Sequence, residues 1–267
     1  MVSFLAVSVI TKVAGQGNCL IYPENSGERL ACELSYQSIE YPQGGAMSQI
    51  LFDSAIKVGP NYAYAYYEKS VPFFKRGKLI EGTKLINKAI ELDPEKYLTY
   101  RAYWYFLNHS FEACISDLER FYNELNVSIM PTPGGDFEMR MLLALSYAQV
   151  GELAKAIDLV SFGIDNFDSM NYFVGAYDYH VLGILLYSNN QFEEAKKALE
   201  KQIEMNDRYA GTYYYLALTN KSLGDSNKAN KLFRESLDRF DGKKDGINFN
   251  AFITYNVTRS QVVAEMN

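Results

Sequence analysis

Residues 63–94 read AYAYYEKSVPFFKRGKLIEGTKLINKAIELDP. Small and apolar residues recur here at i, i+3 and i+4, the period of a helix rather than a strand. Ser70 and Gly82 are small, Gly77 marks a turn between them, Ile86 is bulky and Pro94 closes the stretch. A 34-residue frame drawn from this stretch recurs along the chain, starting at Arg29, Ala63, Glu95, Phe137, Ala176 and Ala210. Its position 20 then holds Ser48, Gly82, Cys114, Ala156, Ala195 and Ala229, at spacings of 34, 32, 42, 39 and 34. A repeated demand for a small side chain means a repeated close approach of two helices, the mark of a stacked helical-hairpin array.

Other positions agree. Position 8 holds Tyr36, Ser70, Ala102, Ala144, Gly183 and Ala217, five of them small. Position 24 is bulky throughout, with Phe52, Ile86, Leu118, Val160, Leu199 and Phe233. Position 11 holds Ile39, Phe73, Tyr105, Tyr147, Leu186 and Asn220, so five frames have a large residue to fill the space beside the close contact. Near position 15 stand Gly44, Gly77, His109, Gly151, Asn190 and Gly224, residues that tolerate the left-handed backbone of a helix C-cap. His109 is thereby explained without chemistry. Pro60, Pro94, Asn126, Asp168, Asp207 and Asp241 at position 32 end each second helix.

This pattern resembles the tetratricopeptide repeat family over about residues 29–241, best at Ala63–Pro94 and Ala176–Asp207. The resemblance implies an all-α protein: a right-handed α-solenoid of about six helix-turn-helix hairpins, closed by a C-terminal capping helix. The pattern departs at position 27, where the family favours Ala. Ala55 and Ala89 comply, but Phe121, Gly163, Gln202 and Ser236 follow. Phe121 is expected to push its neighbour outward. Pro72 falls inside a first helix and predicts a kink near Glu68–Pro72. The stretch 126–136, NVSIMPTPGGD, is a loop by its Pro and Gly content, either a tolerated insertion or a flap at the groove's mouth.

The ends read differently. Phe4–Ile10 is a short apolar run followed by small and polar residues, which predicts a signal peptide over 1–16, though a basic start is missing. Residues 17–28 form a strap segment, and 242–267 a linker and capping helix, with Phe252, Tyr255, Val262 and Val263 on its apolar side. Export places the mature chain in the periplasm or outside the cell; the alternative is the cytoplasm. If the chain is exported, Cys19 and Cys32 are free to pair while Cys114 stays a buried thiol. The alternative is two reduced thiols.

The net charge of −6 argues against nucleic-acid binding, and no apolar run reaches the length of a membrane span. His109 and His180 stand in different frames, and no HExxH, GxSxG or CxxC motif occurs. No metal site, cofactor or catalytic set is expected. His180 reads as a partly exposed groove residue.

The family lines its inner groove with positions 2, 5, 9 and 12 of each first helix. Carried over, this implies a ligand groove of Tyr64, Tyr67, Val71, Phe74, Tyr103, Phe106, Met141, Leu145, Tyr177, His180, Tyr187, Tyr214 and Lys221. Tyrosine gives large contact area with a polar tip at small entropic cost, which suits peptide recognition. The family's grip on chaperone C-terminal carboxylates uses Lys and Asn at positions 5 and 9. Here those are Tyr67 and Val71, so that activity is not implied. The expected function is a non-enzymatic protein- or peptide-binding scaffold. The alternative is a structural spacer in an envelope complex, acting through its convex face or its ends.

Overall fold

The computed structural model describes residues 18–125, 129–133, 138–166, 174–244 and 255–266. The expected signal peptide and Phe252 lie outside them. Among the described residues there are thirteen α-helices and no strand, with one isolated bridge pairing Pro131 and Glu138. The chain forms two compact units, one ending at Tyr97 and the other beginning at Leu98. The first holds the hairpins α1 (Gly27–Gln37) with α2 (Ala46–Val58) and α3 (Ala63–Lys75) with α4 (Leu79–Leu92). The boundary falls within α5 (Pro94–Leu107). The second unit continues with α6 (Phe111–Glu119), α7 (Met139–Gln149), α8 (Leu153–Asn166), α9 (Asp178–Ser188), α10 (Phe192–Met205), α11 (Ala210–Ser222), α12 (Ser226–Phe240) and α13 (Arg259–Met266).

The turns are where local sequence speaks most directly. Gly44, Gly77, His109, Gly151, Asn190 and Gly224 all have φ between +57° and +89°. In the last five the same bond closes the helix: Lys78, Ser110, Glu152, Gln191 and Asp225 each donate a backbone N–H to the carbonyl five residues back, at 2.9 Å. That is the Schellman closure, which needs the left-handed residue between its ends.

Within the hairpins, position 24 is buried in every frame, from Phe52 at 3% exposure to Leu199 at 0%. Position 20 is buried where its side chain exists, at Ser48, Cys114, Ala156, Ala195 and Ala229. Gly82 lies under the ring of Phe74, 3.1 Å from where a Cβ would stand. A Cβ on Gly183 would sit 2.4 Å from Leu199 Cγ, so positions 8 and 24 of that frame interlock. Position 27 is filled in two further ways. Gln202 accepts from the His180 backbone N–H at 3.0 Å and donates to the Ala176 carbonyl at 2.8 Å. Ser236 donates to the Ala210 carbonyl at 2.8 Å. Each polar residue ties its second helix to the start of its own first helix.

At four places the local structure goes beyond what the frame specifies. Ile39 fills no core space; it is 56% exposed, because α1 ends at Gln37 and the chain leaves through a 3-10 turn. The small residues Ala31, Cys32 and Ser35 are buried on α1, and Tyr36 stacks on Tyr64. At Phe121 the helix itself adapts: Arg120–Glu124 widens into a π turn and Phe121 is fully buried. Helix α3 spans Ala63–Lys75 with Pro72 inside it.

The C-terminal segment folds back on the second unit. Val257 and Val262 join Tyr214, Ala217, Ala229 and Phe233 in one cluster, and Tyr255 packs on the core around α7. Helix α13 lies on α12, and Lys221 pairs with Glu265 at 2.8 Å.

Candidate functional site

In the first unit, tyrosines from four elements converge. Asn18 accepts from Leu20 N–H and caps the short turn Cys19–Ile21. Cys19 and Cys32 stand in disulfide geometry, Cα to Cα 5.7 Å, which fixes that turn against α1. Tyr22 is thereby brought edge-on to Tyr62, with centroids 5.8 Å apart. Tyr36 of α1 stacks on Tyr64 of α3 at 6.0 Å, and Tyr67, one turn on, stacks on Tyr97 of α5 at 5.0 Å. Tyr22, Tyr36, Tyr62, Tyr64 and Tyr97 line a cavity of about 320 Å³ with Asn18, Glu28, Asn61, Asp93 and Lys96.

The cup is acid-sided. Burial first, then the Glu28 carboxylate, pushes the Tyr22 hydroxyl upward. Burial and then Asp93 do the same to Tyr97. Burial and then Glu68 push Tyr67 up to about 12. Tyr22, Tyr67 and Tyr97 are thus each harder to ionise than a free tyrosine. Lys96 is exposed, with its ammonium 5.6 Å from the Tyr97 ring centre. Asp93 accepts from Lys96 N–H at 3.3 Å at the start of α5.

Of the residues named from the frame, Tyr64 lines this cavity and Tyr67 backs it by stacking on Tyr97. Phe74, Tyr103, Phe106, Met141 and Tyr214 are instead core, each at 8% exposure or less. Val71 and Leu145 are buried as well. The cause is packing: Phe74 covers Gly82, Tyr103 and Phe106 pack with Cys114 and Leu118, and Tyr214 packs on Phe233. In the second unit Tyr177 meets Tyr209 edge-on at 5.5 Å, and Tyr187 meets Phe192 at 5.7 Å. Lys221 is engaged by Glu265. Sequence reasoning missed Tyr22, Tyr36, Tyr62 and Tyr97. The signal present was tyrosine density, Tyr62, Tyr64, Tyr66 and Tyr67 in six residues, and the misfit of Tyr36 at a small position.

His180 is fully buried rather than partly exposed. Its Nδ1 lies 3.1 Å from Thr212 Oγ1, and Tyr209 meets its ring at 4.5 Å. Burial lowers its pKa to about 3. Nearby on α9, Asp178 accepts from Gly175 N–H at 2.7 Å, and burial with Glu138 raises its pKa to about 6. The two act oppositely on stability. Unfolded His180 takes a proton near 6.5 and folded His180 near 3, so its contribution is full above 6.5 and lost as pH falls toward 3. Folded Asp178 takes its proton near 6 and unfolded near 3.8, so its contribution is full below 3.8 and lost as pH rises through 6. Between these limits the slopes, about 1.4 kcal/mol per pH unit each, cancel. Asp178→Asn unmasks His180: between pH 6 and 3.8 the variant is expected to lose about 1.4 kcal/mol relative to wild type for each unit of acidification. Denaturant melts at several pH values measure this, and parallel profiles would contradict it.

A tetratricopeptide repeat family model matches residues 179–209. That stretch holds Gly183, Ala195 and Leu199, the interlocked small and bulky positions. The fold is a tetratricopeptide-repeat fold. The solved MamA protein is similar over 68% of this chain and 93% of its own, at 19% identity and TM-score 0.56. YrrB, described as a tetratricopeptide-repeat protein with an unusual peptide-binding site, is similar over 70% of this chain and 91% of its own, at 15% and 0.56. PilF of Pseudomonas aeruginosa is similar over 82% and 95%, at 14% and 0.59. No curated protein matches the sequence. Among the described residues, no three His, Cys, Asp or Glu gather as metal ligands, and no helix is long and apolar enough to cross a membrane.

Proposed function

We propose that the chain is a non-enzymatic scaffold that docks a protein or peptide segment in the tyrosine cup of its first unit. The carrying observation is the convergence of five tyrosine rings around one cavity of about 320 Å³. Aromatic rings with polar tips are the residues that interfaces favour. YrrB, a structure of the same fold, is described as peptide-binding. In this reading the protein is exported, since the Cys19–Cys32 bond suits an oxidising compartment. Partner capture by the Tyr64→Ala/Tyr67→Ala variant tests the reading, and reduced retention is expected.

The competing reading, a spacer acting through its outer face, has its own observation. Met47, Ile50 and Ile80, on the second helices α2 and α4, are 47%, 53% and 71% exposed. Exposed apolar residues are common singly on protein surfaces, whereas a cavity ringed by tyrosines is not, and this favours the cup.

A further inference from the structure

We infer that the cup takes the guanidinium group of an arginine side chain carried by the docked peptide. This rests on the reading that the cup is a docking site, and it adds the chemistry of the occupant. Three observations carry it. First, five tyrosine rings line the cavity, Tyr22, Tyr36, Tyr62, Tyr64 and Tyr97, and aromatic rings attract cations through their quadrupoles. Second, the charged residues of the lining are Glu28, Asp93 and Lys96, two carboxylates to one ammonium. After burial, which acts first, Glu28 raises the pKa of Tyr22 and Asp93 that of Tyr97. Third, a ring of the cup already faces a cation, Lys96 over Tyr97 at 5.6 Å.

Other occupants fit worse. An acidic side chain would meet Glu28 and Asp93 as like charges. An apolar side chain would strip water from both carboxylates and give them no partner. Guanidinium suits the site better than ammonium because it is planar, more weakly hydrated and stacks on aromatic faces. The cavity, about 320 Å³, lies at the small end of ligand sites and has room for one such side chain.

The test is calorimetric titration of the full chain, Cys19–Cys32 bond intact, with acetylated and amidated Ala-Ala-Arg-Ala-Ala. Its counterparts carry citrulline, Lys or Glu at the centre. Citrulline keeps the shape of arginine and removes the charge. The arginine peptide is expected to bind at least tenfold more tightly than the citrulline and Glu peptides, with Lys between. Asp93→Asn should bring arginine and citrulline within about threefold of each other. Asparagine caps a helix as well as aspartate does, so α5 should keep its start. Glu28→Gln is the second variant, should Asp93→Asn fail to fold. Arginine and citrulline binding alike would overturn the cation while leaving the docking reading standing. Binding of none of the four peptides would also overturn it. The docking reading itself fails separately, if Tyr64→Ala/Tyr67→Ala leaves partner capture unchanged.

Discussion

Phe121→Ala is expected to cost about 4 kcal/mol, the range for removing a fully buried aromatic ring. In a chain of this length that lowers the melting temperature by about 10 °C. Phe121 sits at position 27, where the first two frames carry Ala55 and Ala89. An alanine there would ordinarily be the better fit. Here the surroundings have been built around the ring instead. The helix widens into a π turn over Arg120–Glu124, and Phe121 is buried with its ring edge-on to Tyr122 at 5.2 Å. Tyr122 in turn hydrogen-bonds Glu138, a carboxylate at 4% exposure. Truncation leaves a void that this network cannot collapse into without losing a buried hydrogen bond. Denaturant unfolding of the two proteins measures the difference. A loss under 1 kcal/mol would mean that the turn relaxes to an ordinary helix at no cost.

Opening the Cys19–Cys32 bond is expected to lower stability by roughly 3 kcal/mol on the chain-entropy account of a loop this short. The half-cystines are 13 residues apart, and the bond ties the capped turn to α1. Its loss also reaches the site, because Asn18 and Tyr22 line the cup. Cys19→Ser/Cys32→Ser should therefore weaken peptide binding as well as stability, while Cys114→Ser should leave binding unchanged. Cys114 is a buried free thiol, and burial pushes its pKa up to about 12. Thiol counting on denatured protein from an oxidising compartment should find one free thiol, and three would remove the strap from the account.

Residues whose demand is local were legible. Gly77, His109 and Asn190 each answer one backbone angle, and Ser48 through Ala229 each answer one close approach. Chain periodicity carries both, so the hairpins could be placed without coordinates. Less of the candidate site was legible. Tyr64 and Tyr67 lie where the frame puts a groove. Phe74 and His180 do not: Phe74 turns onto the small Gly82 of its own frame, and His180 is held by Gln202 and Thr212, polar partners that the frame does not specify. Tyr22 is brought in by a covalent bond and Tyr36 by the early end of α1, neither of which has a period to read. Lys221 is taken up by Glu265 of the chain's own last helix, 44 residues on.

The measurement closest to the central claim is partner affinity for two paired variants of the first unit. Tyr64→Ala/Tyr67→Ala removes half-buried rings at the cup, and Met47→Ser/Ile50→Ser removes exposed apolar groups on α2. With circular dichroism confirming both folds, the first pair should lose at least tenfold in affinity and the second less than twofold. Loss confined to the Met47 and Ile50 pair would contradict docking in the cup and assign the interface to the outer face.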